Sequence, residues 1–147
     1  MASLKIKCAK SEKIFEIPKK SLRFSIPLTN YFLKNNLEAI YTLQNHEIEE
    51  TTLSYFVNYL THYENEDLPF IDEEEKLDVS NLQEIFPEWE YNFLSKIPLF
   101  EAFQLINIGE ETKIENLKNL MIYFISSHLK GKTKEERGRE LIFTISN

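Results

Sequence analysis

Residues 4 to 17, LKIKCAKSEKIFEI, contain two short stretches in which apolar and polar residues alternate. In the first, Leu4, Ile6 and Cys8 share one face while two lysines share the other, as in a half-buried strand. The second, KIFEI at 13–17, follows the polar bend AKSE, so the two stretches together predict a β-hairpin. Cys8 is accordingly expected to be a small core residue.

The segments that follow predict one more strand and several helices. Leu37 to Leu43 predicts a third strand, and Ser25 is suited to cap a short helix with Pro27 in its first turn. From Thr52 to Tyr63 the apolar residues recur at helical spacing and form one stripe. Because the strands are confined to the first third of the chain, we expect an α+β fold with helices layered on a small sheet.

The second half of the chain predicts a central helix with shorter helices around it. Trp89, Phe93 and Leu94 mark a short helix, and LFEAFQLI at 99–106 is apolar nearly all round, as expected for a helix that others enclose. Thr112 to Glu115 matches a capping box and predicts the start of the next helix, which would end before Gly131.

Length and composition favour one helix-rich domain. The chain has 147 residues, with 42% hydrophobic residues and only three glycines and five prolines, too few for a turn-dense β-sandwich. Its net charge is −7, and the segment Glu64 to Asp78 holds eight acidic residues against one lysine. We interpret this acidic segment as a solvated loop, with docking of a basic partner as the alternative.

Several classes of function are disfavoured by the sequence. The longest apolar run is six residues, 120–125, far below the roughly 20 that cross a bilayer, so we expect a soluble, intracellular protein with no membrane partner. A single cysteine excludes an internal disulfide and a cysteine-based zinc site. The short basic cluster at 130–139 contains two glutamates, which argues against nucleic-acid binding.

No motif predicts an enzyme or a cofactor. KGKT at 130–133 resembles the end of a phosphate-binding loop, but Ser126 stands where that loop needs glycine. His46, Glu47 and Glu50 are weak metal candidates, because acidic residues are expected at a helix start. With no nucleophile placed beside a base, we predict a non-catalytic protein without cofactors that binds other proteins.

The C-terminal part predicts a surplus of apolar surface. One interpretation is that some of these side chains face a partner; the other is that they only cover the sheet and the central helix. The residues concerned are Leu120, Met121, Phe124, Ile125, Leu129, Leu141, Ile142 and Phe143.

The order of these motifs resembles the Skp-type (S-phase-kinase-associated protein) adaptors of SCF ubiquitin ligases, which have a BTB/POZ fold followed by further helices. LKIKCAKSEKIFEIP is similar to the opening hairpin of that family, and PEWEYNFL at 87–94 is similar to its short tryptophan-containing segment. LFEAFQLIN at 99–107 resembles its central helix. IENL at 114–117 is followed by a predicted helix and then by LKGKTKEE at 129–136, which resembles the lysine-glycine-lysine-threonine connection of the family and the helix after it.

The resemblance implies one domain over residues 1–147, with a BTB portion at 1–108 and a shortened set of C-terminal helices at 109–147. It implies a cytoplasmic and nuclear adaptor that links a cullin to F-box substrate receptors. By motif position, Asn107 and Ile108 would contact the cullin. The F-box surface would comprise Leu117, Leu120, Met121, Phe124, Ile125, Leu129, Leu141 and Phe143.

A second class of function remains open at this stage. The same fold could serve as a homodimer-forming BTB/POZ interaction module, or as an elongin-C-like adaptor for a different box motif, using the sheet edge and the central helix.

Overall fold

The computed structural model describes residues 3–68 and 87–129, and it shows a mixed α+β fold. Three strands, β1 (Ser3–Lys7), β2 (Ile14–Pro18) and β3 (Ile40–Thr42), form one sheet in the order β2-β1-β3. Five α-helices complete the described part of the chain, and no helix within it is long and apolar enough to cross a bilayer. The helices are α1 (Ile26–Lys34), α2 (Glu50–His62), α3 (Glu88–Ser95), α4 (Leu99–Thr112) and α5 (Glu115–Leu129).

The predicted hairpin is confirmed. Strands β1 and β2 pair antiparallel, with Leu4 opposite Ile17 and Ile6 opposite Phe15. Leu4, Ile6 and Cys8 are buried, as their alternation predicts, and burial raises the pKa of the Cys8 thiol. The alternation therefore decided which face of the hairpin meets the core.

The third strand is shorter than predicted. It covers Ile40–Thr42 and pairs parallel with β1, whereas the sequence pattern suggested a strand from Leu37 to Leu43. Asn36 explains the late start, since its side-chain and backbone oxygens accept hydrogen bonds from the amides of Glu38 and Ala39. This local turn withdraws those amides from the sheet.

The predicted N-terminal cap of α1 is also confirmed. A 3₁₀ helix at Lys19–Phe24 leads into it, and the Ser25 hydroxyl then accepts a hydrogen bond from the Leu28 amide at 3.2 Å. Leu28 and Phe32 on the inner face of α1 are completely buried or nearly so.

Helix α4 holds the start of α2 through a buried amide side chain. The Gln104 Oε1 atom accepts hydrogen bonds from the Thr52 hydroxyl and from the Glu49 amide, and Gln104 Nε2 donates to the Glu47 carbonyl at 2.7 Å. Glu49 is the residue just before the first turn of α2, and its side chain makes no capping hydrogen bond. Gln104 therefore performs the capping that the local sequence lacks.

We expect Gln104→Met to lower the free energy of unfolding by about 2 kcal/mol, because it leaves the hydroxyl, the amide and the carbonyl without partners in a buried site. Urea unfolding measures the change. Gln44→Met is the matched control: Gln44 is exposed, and this variant should stay within about 0.5 kcal/mol of the original protein. Equal effects of the two substitutions would contradict this account of Gln104.

Candidate functional site

The end of α4 and helix α5 contain most of the residues that the sequence assigns to partner contacts. These two helices pack against each other more extensively than any other pair in the described chain. Their backbones approach closely at Gly109, where an added Cβ would lie 3.1 Å from both Cβ and the amide nitrogen of Lys118. Glycine at this point allows the two helices to meet.

The two residues predicted to contact a cullin have different environments. Asn107 is exposed on α4, whereas Ile108 is completely buried. Asn107 is therefore available to a partner, but Ile108 faces the interior of the protein and supports the packing of α4. The helix continues without a break across residues 108 and 109, where the sequence analysis divides the BTB portion from the C-terminal helices.

The capping box predicted at Thr112 is wrong, because Thr112 is the last residue of α4. Its hydroxyl donates to the Ile108 carbonyl at 2.7 Å, and its own carbonyl accepts from the Ser25 hydroxyl at 2.6 Å. Lys113 follows in the left-handed region with φ of 57°, and the Ile114 amide returns to the Gly109 carbonyl at 3.0 Å. This is the hydrogen bonding of a helix end, not of a helix start.

Most of the residues predicted to bind an F-box are already enclosed by the protein. Leu117, Leu120 and Met121 are completely buried, and Ile125 is 6% exposed. Phe124 is partly buried against the same core. Leu129 is the last residue of α5, and Leu141 and Phe143 lie outside the described residues.

This burial changes the interpretation of the C-terminal apolar side chains. For Leu120, Met121 and Ile125 the expected surplus is wrong, because these side chains belong to the protein's own core. The face of α5 that remains open carries Ile122, which is 40% exposed. Any partner of α5 would therefore meet its outer side.

Charged residues surround the junction of α4 and α5. The Lys118 ammonium contacts the carboxylates of Glu110 at 2.6 Å and Glu115 at 3.3 Å. The hydrogen bond that Lys118 donates is the main cause that lowers the pKa of Glu110. The hydrogen bonds with Glu110 and Glu115 in turn raise the pKa of Lys118. These pairs are exposed to solvent and contribute little to stability.

A further apolar surface lies on α1, and the sequence analysis missed it. Ile26 is 74% exposed and Leu33 is 75% exposed, while Leu37, just beyond the helix, is 38% exposed. At about 100° per residue, Ile26 and Leu33 lie almost on one line along the helix, on a different face from Leu28 and Phe32. We call the exposed residues Ile26, Leu33 and Leu37 the α1 stripe.

A signal for the α1 stripe was present in the sequence. The spacing from Ile26 to Leu33 is seven residues, which is the same periodicity that marks a buried face. Helix α1 is thus apolar on two faces, and one of them has no cover. Exposed apolar patches of this kind are typical of protein contacts.

The described residues provide no metal centre. No group of three His, Cys, Asp or Glu side chains within residues 3–68 and 87–129 comes together in a way that could hold an ion. The KGKT segment lies outside the described residues, as does most of the acidic segment at 64–78.

Comparison with known proteins adds no relative to this description. No protein-family model matches the chain, and no curated protein matches its sequence. The resemblance to the Skp-type adaptors therefore depends on the quoted motifs alone.

Replacing Lys113 by glycine should raise the free energy of unfolding by about 0.5 to 1 kcal/mol, because glycine adopts the left-handed conformation without the steric penalty of a Cβ atom. Thermal or urea unfolding tests this expectation. Lys113→Ala is the control, since it removes the charge but keeps the Cβ atom and should give no gain. A gain from alanine equal to that from glycine would assign the effect to the charge instead.

Proposed function

We propose that this protein is a non-catalytic adaptor of the Skp type, with a BTB/POZ-like fold, that links a cullin to F-box receptors. The observation that carries the proposal is the arrangement of the four resembling segments. Their described parts form, in order, the β1–β2 hairpin, the tryptophan-bearing helix α3, the central helix α4 and the helix α5 packed against it, and residues 130–136 of the fourth segment lie outside the described residues. An adaptor of this class would act in the cytoplasm and nucleus.

The surface chemistry suits an adaptor that offers different faces to two partners. On the cullin side, Asn107 presents an uncharged amide group to solvent from the middle of a well-packed helix. A rigid helix holds such a group in one orientation, which reduces the entropy lost when a partner binds.

On the receptor side, contacts would fall on Phe124, Ile122 and the residues after 129. Leu117, Leu120 and Met121 would then act indirectly, by holding α5 against α4. This division is consistent with interfaces in which a few accessible apolar anchors provide most of the affinity.

Direct binding measurements test the proposal. The intact chain is titrated calorimetrically with the N-terminal region of a cullin from the same organism, and separately with an F-box protein. Binding of both at micromolar concentrations or tighter supports the adaptor function. Binding of neither at about 100 μM, an affinity weaker than about −5.5 kcal/mol, would overturn it.

Asn107→Lys should weaken cullin binding at least tenfold, because a charged side chain at the centre of a contact must be desolvated without a partner. Asn92→Lys is the matched control: Asn92 is an exposed asparagine on α3, and the change introduces the same charge. Titration of both variants gives the comparison. Unchanged cullin affinity in Asn107→Lys would remove Asn107 from the interface.

The α1 stripe favours a second candidate function, which is self-association as an interaction module. If two copies met through this surface, each copy would cover Ile26 and Leu33 of the other, which are about three-quarters exposed in the monomer. A symmetric dimer buries the same surface on both copies, so one interface covers the exposed side chains of both.

In this second case the intact protein should be a dimer, and Leu33→Glu should raise its dissociation constant at least tenfold through burial of an unpaired charge. Sedimentation equilibrium measures the constant. Ile122→Glu is the control, since Ile122 is an exposed isoleucine on α5 and does not belong to the α1 stripe. A protein that stays monomeric at about 100 μM would exclude this function and leave the adaptor unaffected.

A further inference from the structure

Helix α3 is attached to the rest of the protein mainly by its side chains. Its backbone approaches the other described elements closely at few points. Instead, the Trp89 ring stacks on the His62 ring of α2 at 3.7 Å, and the Phe93 ring packs against the Tyr59 ring of α2 with centroids 5.8 Å apart. The contact between α2 and α3 is therefore largely aromatic, and Phe93 and Leu94 of α3 also belong to the buried core.

A carboxyl group is buried within this contact. Glu90 is 0% exposed, and its Oε1 atom accepts a hydrogen bond from the Tyr63 hydroxyl at 2.6 Å. Within the described residues its Oε2 atom has no hydrogen-bond partner, and neither does the buried hydroxyl of Tyr59. A single hydrogen bond is little compensation for a buried charge.

Two effects act on the Glu90 carboxyl in opposite directions. Burial disfavours the carboxylate and raises its pKa, whereas the hydrogen bond from Tyr63 favours the carboxylate and lowers the pKa; burial is the larger effect. Glu90 also lies in the first turn of α3, where a helix favours negative charge. The residue that caps α3 is Pro87, however, and proline has no backbone N–H group that could donate a hydrogen bond to the Glu90 carboxylate.

The neighbouring elements bring few compensating charges to this carboxyl. The Arg23 guanidinium is occupied with backbone carbonyls, donating to Tyr63 at 2.9 Å and to Glu66 at 2.7 Å. Among the described residues, Tyr59 and Tyr63 are the titratable groups that interact with the Glu90 carboxyl. The other titratable residues next to these three in the sequence are His62, Glu64, Glu66, Glu88 and Tyr91.

We propose that Glu90 is a protonation-dependent anchor of α3. The neutral carboxyl group holds α3 against the end of α2, and loss of its proton to solvent releases the helix. Release exposes the carboxylate to water, which removes the free-energy penalty of a buried charge with one hydrogen bond. Separation of α3 hydrates Glu90 and breaks few close backbone contacts, at the cost of exposing Phe93 and Leu94.

The direction of the pH dependence follows from the raised pKa. The packed state keeps its proton to a higher pH than the released state. Anchoring is therefore complete below the pKa of the released carboxyl, and it is lost in the pH window between that value and the raised pKa of the packed carboxyl. Within that window one proton leaves for each opening event. The opening equilibrium therefore increases about tenfold per pH unit.

Release of α3 would also change a surface cavity. A cavity of about 230 Å³ lies between α2 and α3, lined by Tyr55, Asn58, Trp89, Asn92, Phe93 and Lys96. Four of these six residues are on α3 or directly follow it, so the cavity exists only while α3 is anchored. Anything that uses this cavity would bind more tightly at low pH.

Hydrogen exchange of the intact protein, followed by mass spectrometry between pH 5 and pH 9, tests the anchor. After correction for intrinsic exchange, the protection of residues 88–95 should fall about tenfold per pH unit within the window, while residues 99–112 stay protected. Glu90→Gln keeps the shape of the neutral group and should abolish this fall. Glu88→Gln removes an exposed carboxyl group from the same turn and should keep it.

Retention of the original pH dependence in Glu90→Gln, or its loss in Glu88→Gln, would overturn the proposal. Tyr63→Phe provides a second test that does not require Glu90→Gln to fold. Without the hydrogen bond that favours the carboxylate, the midpoint for loss of protection should move to higher pH. A midpoint that stays in place or moves to lower pH would equally overturn the anchor.

Discussion

The arrangement of the chain depends on buried polar groups along α4 that must find hydrogen-bond partners. Gln104 satisfies the start of α2, and the Thr112 carbonyl accepts from Ser25 at the start of α1. The carboxylate of Glu111 accepts from the Tyr41 hydroxyl and from the amides of Gln44 and Asn45, just after β3. An unpaired polar group in such places would be costly, so α4 can fit against its neighbours in only one register.

This fixed register determines how the apolar side chains are distributed. Once α4 is in place, Gly109 brings α5 close enough for Leu117, Leu120 and Met121 to be enclosed. The same constraint directs Leu28 and Phe32 of α1 inward, since Ser25 is tied to the end of α4. Ile26 and Leu33 must then point outward. An apolar surface open to a partner thus lies on α1, where the sequence analysis predicted none, in addition to the exposed Ile122 on α5.

The attachment of α3 differs from that of α4 in kind. Helix α4 is held by several hydrogen bonds that satisfy backbone groups, so no single titration can release it. Helix α3 depends on ring contacts with α2, on the buried side chains of Phe93 and Leu94 and on one buried carboxyl, whose charge state alters the stability of the contact. A protein can in this way combine a rigid interior with one helix of lower local stability.

The sequence by itself determined the elements whose signal is local. The alternation of Leu4, Ile6 and Cys8 predicted the hairpin and its buried face, and Ser25 predicted the start of α1. Thr112 was misassigned because its motif fits a helix start, while the packing of α4 extends that helix through it. Only the tertiary structure decided that Ile26 stays exposed, that Leu120 is core and that Glu90 is buried. Periodicity shows which residues share a face, but whether that face is covered depends on contacts between residues far apart in the chain.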